Sequence, residues 1–532
     1  MTGLTGTRRL TRLALRRDRL VIPASVLLLV VFMAGSAQAT LALYPDPTAG
    51  IGAMKEVAAN PALVALYGPL SDPNSIDAFA TFKTIVMGAV FLCLLAYAVV
   101  RRHTRTEEES GRSELLGSGV VGRRAPLAAA VLLATAAVLL TAVLAAMSGI
   151  SVGLDAKGSI AFGVAWLTVG LTWVGVTAVS AQLTETARGT AGFALGALAI
   201  AYLVRIIGDT AADDSVLRHV SWLSPLGWVE KVSAFGENRI WVVVLGLASY
   251  AVLVLAAFRI LERRDLGAGI LPARTGPDRG SMRTPLDLVR RLGRGPLIGW
   301  TIGFVVGGTV VGSVAQNVAD FLNDPNIVAM FEKLGGIKGS IIDAYLAAEF
   351  GFVAVAASAF GIALAMRLRT EESSGRAEAV LATATRRERW ALSNAAVSLG
   401  YPALIMALLG LVIGVIRGVQ TGDLGGSVTS LVGASLATLP AVWVCVGLAI
   451  AIFGVAPRWT GYAWAALIAF LTIGEFGELL DLPSAVMWLS PFRHLPKLPG
   501  GSLDWTPLVV LTIIGAGLVM GGVAAFRRRD AV

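Results

Sequence analysis

The sequence predicts an all-α integral membrane protein with twelve transmembrane helices. They are expected as two parallel six-helix repeats related by a pseudo-two-fold axis. Three observations carry that expectation. The first is composition: of 532 residues, 55% are hydrophobic and 15% charged, and mean hydropathy is +0.73. Soluble domains carry about 25% charged residues. The chain has too few polar side chains to clothe a soluble body of its size. That excludes a soluble enzyme, a nucleic-acid-binding module and a disordered scaffold. The second observation is a series of twelve apolar runs, each close to the about 20 residues that cross a ~30 Å hydrocarbon core. The third is that the chain repeats itself.

The runs lie near 21–43, 78–100, 125–150, 158–181, 190–208, 239–259, 297–318, 342–366, 390–416, 429–454, 459–477 and 506–526. Runs 190–208 and 459–477 are short, and a polar and aromatic stretch follows each. The first run follows Arg8, Arg9, Arg12, Arg16, Arg17 and Arg19 and reaches Gly35-Ser36-Ala37-Gln38-Ala39, which has the form of a signal-peptide cleavage site. Its apolar character continues through Leu41, Ala42 and Leu43. It is therefore read as a retained span.

Arg placement sets the orientation. Arg clusters occupy 8–19, 101–124, 259–294, 367–389 and 527–529. Twelve spans counted from a cytoplasmic N-terminus place all of them inside, so both termini are expected in the cytoplasm of a bacterium. The opposite loops, near 44–77, 319–341 and 478–505, carry Asp46, Asp72, Asp77, Asp320, Asp324 and Glu332. The net charge of +9 and pI near 9.8 thus serve orientation in a membrane, and no nucleic-acid partner is expected.

The repeat is read from three matches in the same order. The stretch 105–114, R-T-E-E-E-S-G-R-S-E, matches 369–378, R-T-E-E-S-S-G-R-A-E, at an offset of 264. Ile76-Asp77-Ala78-Phe79 matches Ile342-Asp343-Ala344-Tyr345, and Trp222-Leu223-Ser224-Pro225 matches Trp488-Leu489-Ser490-Pro491, both at 266. An even number of spans per half gives the halves the same orientation. The expected organisation is a first six-span half over 1–260 with an N-terminal connecting helix. A cytoplasmic linker and second connecting helix follow over 261–294, and a second half over 295–532.

Catalytic chemistry is not expected. Cys93 and Cys445 lie in apolar runs of different halves, and His103, His219 and His494 are scattered, so neither a disulfide nor a metal site is indicated. The chain holds no G-x-x-x-x-G-K-[ST]; 335–340 is Gly-rich but wrongly spaced, and it is expected outside the cell. ATP-driven work therefore needs a partner. Gly303, Gly307, Gly308 and Gly312 form overlapping G-x-x-x-G patterns, which permit close helix packing.

The charged loops are the most informative segments. Arg105, Glu107, Glu108, Arg112 and Glu114 recur as Arg369, Glu371, Glu372, Arg376 and Glu378. Arg alone would anchor a membrane face. The ordered Glu residues point instead to docking on a partner of complementary charge. Six spans per half, this charged segment after the second span and a Ser-Pro motif before the last resemble an ABC-2 type permease. Two fused halves of this size resemble the actinobacterial exporters of antibiotics and polyketides. The resemblance covers the whole chain and implies a type V exporter-like fold. It implies that 105–114 and 369–378 are coupling helices seated in two copies of an ABC ATPase subunit, where ATP and Mg would be held. It also implies amphipathic connecting helices, which Leu4-to-Leu20 and Pro285-to-Leu292 fit; simple anchoring by Arg explains those two stretches equally well.

On the outer side, runs 190–208 and 459–477 end near Asp209 and Glu475, then reach Trp222-to-Pro225 and Trp488-to-Pro491. Proline frees backbone groups, so 209–237 and 476–505 are expected as short re-entrant or interfacial helices. The resemblance makes them the exit gate; an ordinary loop with an interfacial Trp is the other reading. Lys83 has Glu349 as its repeat mate. Either the two pair near the outer end of the path, or each snorkels at the interface. Phe79, Phe82, Tyr345 and Phe350 are expected beside that path. The expected function is export of hydrophobic or amphipathic small molecules such as drugs and antibiotics, by alternating access driven from the ATPases, with lipid as the surroundings. The alternative is a proton-driven twelve-span secondary transporter of the major facilitator kind. Against that stand the lack of its Gly-Asp-Arg-Gly-Arg pattern after the second span and the scarcity of mid-membrane carboxylates.

Overall fold

A computed structural model describes residues 3–45, 51–52, 54–55, 58, 61–113, 119–211, 215–271, 282–321, 338–476 and 483–529. Among them every regular element is helical. The chain divides into two compact units, Met1–Gly276 and Pro277–Val532.

The first unit opens with Thr7–Arg17, an 11-residue helix whose Ala14 is buried. It lies against the helix Ala125–Ser151. Six long apolar helices follow: Val21–Leu43, Ile76–Arg102, Ala125–Ser151, Ala156–Leu183, Ala187–Asp209 and Val243–Arg263. Three start on side-chain caps. Ser75 accepts from the Ala78 N–H, Asp155 from Gly158 and Thr186 from Gly189, which satisfies donors that the first helical turn leaves open.

The helix Ala156–Leu183 is the hub of this unit, and 78% of its apolar window is buried. It touches four of the other five long helices. Small residues make this possible, since lipid gives no hydrophobic drive between helices and association rests on close packing. A Cβ on Gly163 would lie 2.6 Å from the Ala142 carbonyl oxygen, and one on Gly88 would overlap the ring of Trp166. Trp166 is fully buried and donates from Nε1 to the Ile85 carbonyl at 2.9 Å. Gly88→Val is therefore expected to destabilise the first unit by about 3 kcal/mol or more, the upper end of overpacking costs. Thermal unfolding in detergent would show it; an unchanged midpoint would mean that Trp166 can move aside.

In the second unit the first helix runs unbroken from Pro285 to Phe321, 37 residues with Pro296 inside. The connecting helix expected over Pro285-to-Leu292 and the span expected over 297–318 are thus one helix of about 55 Å, at 1.5 Å per residue. Lys338–Ala365, Arg387–Thr421, Leu424–Leu436, Leu439–Val455, Tyr462–Phe476 and Trp505–Arg528 follow, with short helices between. Run 429–454 is divided at Ala437 and Thr438, just before Pro440, where proline cannot donate to the preceding turn.

Among the described residues, eleven helices are long and apolar enough to cross a membrane, and Tyr462–Gly474 is a shorter apolar helix. The helix in run 459–477 is described over Tyr462–Phe476, and residues 477–482 lie outside the described ones. Run 190–208 is a full 23-residue helix.

Candidate functional site

The charged segments lie at one end of each helical unit, and their side chains are placed as follows. In the first unit Arg105–Glu109 is a short helix directly after Ile76–Arg102. The Arg105 side chain is wholly buried. Its Nε donates to the Ala181 carbonyl at 2.8 Å, and its Nη2 to Ala268 at 2.9 Å. Its Nη1 donates to Glu108 Oε2 at 2.7 Å. Glu108 also holds Arg264, through Oε1 to Nη2 at 2.7 Å and Oε2 to Nη1 at 3.0 Å. Arg264 in turn donates from Nε to Gln182 Oε1 at 2.8 Å. One carboxylate thus locks two buried guanidiniums, and the brace ties the charged segment to the end of the hub helix and to the chain after the last helix.

Neighbouring acids reach further. Glu107 pairs with Arg17 of the amphipathic helix and lies 3.7 Å from Arg112. Glu109 accepts the Ala187 N–H at 3.0 Å, at the start of the helix Ala187–Asp209. Asp18, nearly buried, meets His103 Nε2 at 2.6 Å and Arg102 Nη1 at 3.0 Å. The segment therefore touches four helices at ends that lie at its level: Thr7–Arg17, Ala156–Leu183, Ala187–Asp209 and, through Arg264, Val243–Arg263. Glu114 lies outside the described residues.

In the second unit the equivalent segment is split into Arg367–Ser373 and Arg376–Leu381 by Gly375, at φ 72°. That left-handed conformation suits glycine. Glu372 pairs with Arg529 at 2.6 Å, and Arg529 lies over the rings of Phe453 and Phe526. Glu371 pairs with Arg376 at 3.0 Å on the surface. Arg369 keeps one buried Nη1 without a hydrogen bond, and Glu378 is exposed.

The two braces, Glu108–Arg264 and Glu372–Arg529, use two arginines that the sequence reading did not single out. A signal existed: Arg263-Arg264-Asp265 recurs as Arg528-Arg529-Asp530, at an offset of 265. Part of the docking argument rested on Glu residues having no use inside a loop. Glu108 has such a use, with only 12% of its side chain exposed. Of the charged residues expected to dock, Arg112, Arg376 and Glu378 are exposed.

At the other end of each unit the Trp-Leu-Ser-Pro motifs start short helices. Ser224 donates to the Ala201 carbonyl at 2.6 Å and accepts from the Leu226 and Gly227 N–H groups, starting the helix Pro225–Lys231. Ser490 donates to the Phe470 carbonyl at 2.7 Å before Pro491–His494. The serines thus tie each cap to the preceding long helix. Trp222 stacks on Trp241 at 5.9 Å, and Trp488 is exposed beside His494. Asp209 lies against Arg205; the side chain of Glu475 lies outside the described ones.

Four residues were expected to line a path. Phe82, 4% exposed, packs on Tyr67, and Phe350, 1% exposed, belongs to the core of the second unit. Burial within their own units removes both from any open surface. Phe79 and Tyr345 are partly buried, Lys83 is exposed, and Glu349 is half-buried. An apolar cavity of about 710 Å³ lies within the second unit, lined by Ala437, Leu439, Trp443, Pro499, Trp505 and Leu508. Its size falls in the about 300–1,000 Å³ range of small-molecule sites.

Comparison with known proteins agrees with a transport role. A family model described as "Multidrug efflux system permease Rv1217c, C-terminal domain" matches residues 282–527. The multidrug efflux system permease protein Rv1217c of Mycobacterium tuberculosis (strain ATCC 25618 / H37Rv) is 39% identical over 536 residues. The match covers 99% of this chain and 96% of that protein.

Proposed function

We infer the function from one premise: the chain belongs to the family of multidrug efflux system permeases that includes Rv1217c. It is a membrane permease. We propose that it is the membrane-spanning subunit of an ATP-driven ABC-2 type exporter of hydrophobic or amphipathic compounds, drugs and antibiotics among them. In this reading it lies in the bacterial cytoplasmic membrane with both termini in the cytoplasm. Its twelve spans form two repeats, with Tyr462–Phe476 as a short span. Two copies of an ABC ATPase bind and hydrolyse ATP with Mg, and this chain holds neither.

The observation that most supports this reading is the paired brace. In each unit a carboxylate of the charged segment grips the arginine that follows the last long helix, at 2.7 Å for Glu108–Arg264 and 2.6 Å for Glu372–Arg529. A push on the segment from an ATPase would therefore be passed to the start, middle and end of the six-helix set rather than absorbed by a loose loop. The apolar cavity of the second unit supports an apolar cargo.

The test is transport in inside-out vesicles. With the partner ATPase and ATP present, a hydrophobic dye should accumulate, and collapsing the pH gradient should leave accumulation unchanged. The chain alone should move no dye. Dye movement by the chain alone under a pH gradient would sink the ABC reading.

A further inference from the structure

At the end of the first unit opposite the charged segment, the helix Ala187–Asp209 carries two charged side chains into a closed site. Arg205 is wholly buried, with Asp209 at 3.8 Å and Glu230 at 2.7 Å, and the two acid side chains are 1% and 3% exposed. The second Arg205 amino group donates to the Ala65 carbonyl, within the helix Pro61–Tyr67. Gly68, at φ 95°, passes so close that a Cβ there would overlap Glu230 Oε1. Thus one guanidinium faces two carboxyl groups with little access to water.

Among the described residues the charge does not balance if both acids are ionised. A buried net negative charge is costly, and two adjacent carboxylates cannot both ionise readily. The hydrogen bonding leads to the same point. Asp209 Oδ2 and Glu230 Oε1 lie against the same Arg205 Nη1, at 3.8 and 2.7 Å. As carboxylates neither has a hydrogen to give, and Asp209 Oδ1, Asp209 Oδ2 and Glu230 Oε2 are then buried without a donor. A single proton supplies the missing donor and removes the excess charge.

We propose that Asp209 and Glu230 form a proton-binding site, which holds one proton between them and so fastens the cap helix Pro225–Lys231 to the helix Ala187–Asp209. The proton sits on Glu230 Oε2 and is donated to Asp209. Burial pushes the Glu230 carboxyl well above the usual carboxylate range, with Arg205 opposing and Asp209 reinforcing that rise. The groups facing the pair are Arg205 and Tyr202 from the same long helix, with Tyr67 behind Tyr202. Tyr202 stacks under the Arg205 guanidinium and donates to the Leu66 carbonyl at 2.7 Å. Lys231, next in the cap helix, lies over the Trp222 ring instead. When the proton leaves, two carboxylates repel across the cap joint with one guanidinium between them.

The experiment is infrared difference spectroscopy on the full chain in lipid nanodiscs, titrated through about pH 6 to 9, where buried glutamates have been found to ionise. The wild type should show the carbonyl stretch of one protonated carboxyl, lost on the alkaline side. Asp209→Asn and Glu230→Gln should each lack that band, because each leaves Arg205 with a single acid partner. The thermal midpoint gives a second readout. A folded-state pKa raised above the unfolded value stabilises below it, so wild-type stability should fall as pH rises through the pair's titration. Both variants should be flat in that window. Two isosteric variants guard against one failing to fold. The proposal is overturned if the band and the slope persist in both variants.

Discussion

Glu108→Ala is expected to destabilise the chain far more than Glu372→Ala. Glu108 is the shared counter-ion of Arg105 and Arg264, whose side chains are 0% and 2% exposed. Removing one partner of a buried pair leaves uncompensated charge and costs about 3–5 kcal/mol. Here two guanidiniums are stranded by one substitution, so the upper part of that range is expected. Glu372 serves one guanidinium, Arg529, whose side chain is 22% exposed and also rests on Phe453 and Phe526. Water and the two rings remain after truncation, so a loss of about 1–2 kcal/mol is expected, between the surface and buried limits. Thermal unfolding in detergent measures both. Combining Glu108→Ala with Arg264→Met should recover part of the loss, since one stranded charge is removed with its partner. Equal midpoints for the two single variants would mean that the Glu108 network is solvated and does not brace the first unit.

The class of the molecule was legible because a membrane imposes a length on apolar runs, and eleven helices satisfy it among the described residues. The ends were harder to read, and for specific reasons. Run 190–208 looked short because Arg205 and Asp209 interrupt its apolar character. Both lie inside the helix, where Arg205 also pairs with Glu230, which is separated from them by the 3₁₀ stretch Val216–Leu223. Run 459–477 is short as well, and Pro457–Trp459 forms a separate 3₁₀ turn before the helix starts at Tyr462. The charged segments stand out in the sequence, but which way each acid faces depends on a partner far along the chain. Arg264 lies 156 residues from Glu108, and no local spacing rule reaches that far. Only the repeated Arg-Arg-Asp after each last helix marked it. His103 was likewise read as an isolated histidine, because its partner Asp18 is 85 residues away. Phe82 and Phe350 were expected beside a path from their position near the start of a span. Position along a helix does not fix which face meets the core, and both face it.

The exposed half of the charged segment should separate coupling from stability. Arg376→Glu is expected to leave the thermal midpoint within about 0.5 kcal/mol of wild type, because its partner Glu371 is a surface pair of the kind worth ~0–1 kcal/mol. The Arg376 side chain is 59% exposed and Glu371 23% exposed. Glu372 stays gripped by Arg529, so the segment keeps its seat against the last helix. Under the proposed function the same substitution reverses the charge offered to an ATPase, and a like charge placed against a partner weakens association. Efflux and co-purification of the ATPase should therefore fall about tenfold or more, equivalent to ~1.4 kcal/mol. Arg112→Glu, 57% exposed in the first unit, should act in the same direction. Co-purification in rising salt gives the discriminating readout, since exposed charges are screened beyond about 10 Å at 0.1 M. If the wild-type complex loosens with salt and the variants are already loose, the segment docks by charge. If Arg376→Glu retains full efflux and the complex ignores salt, then the repeated charges serve only the braces, and force must enter this permease by another surface.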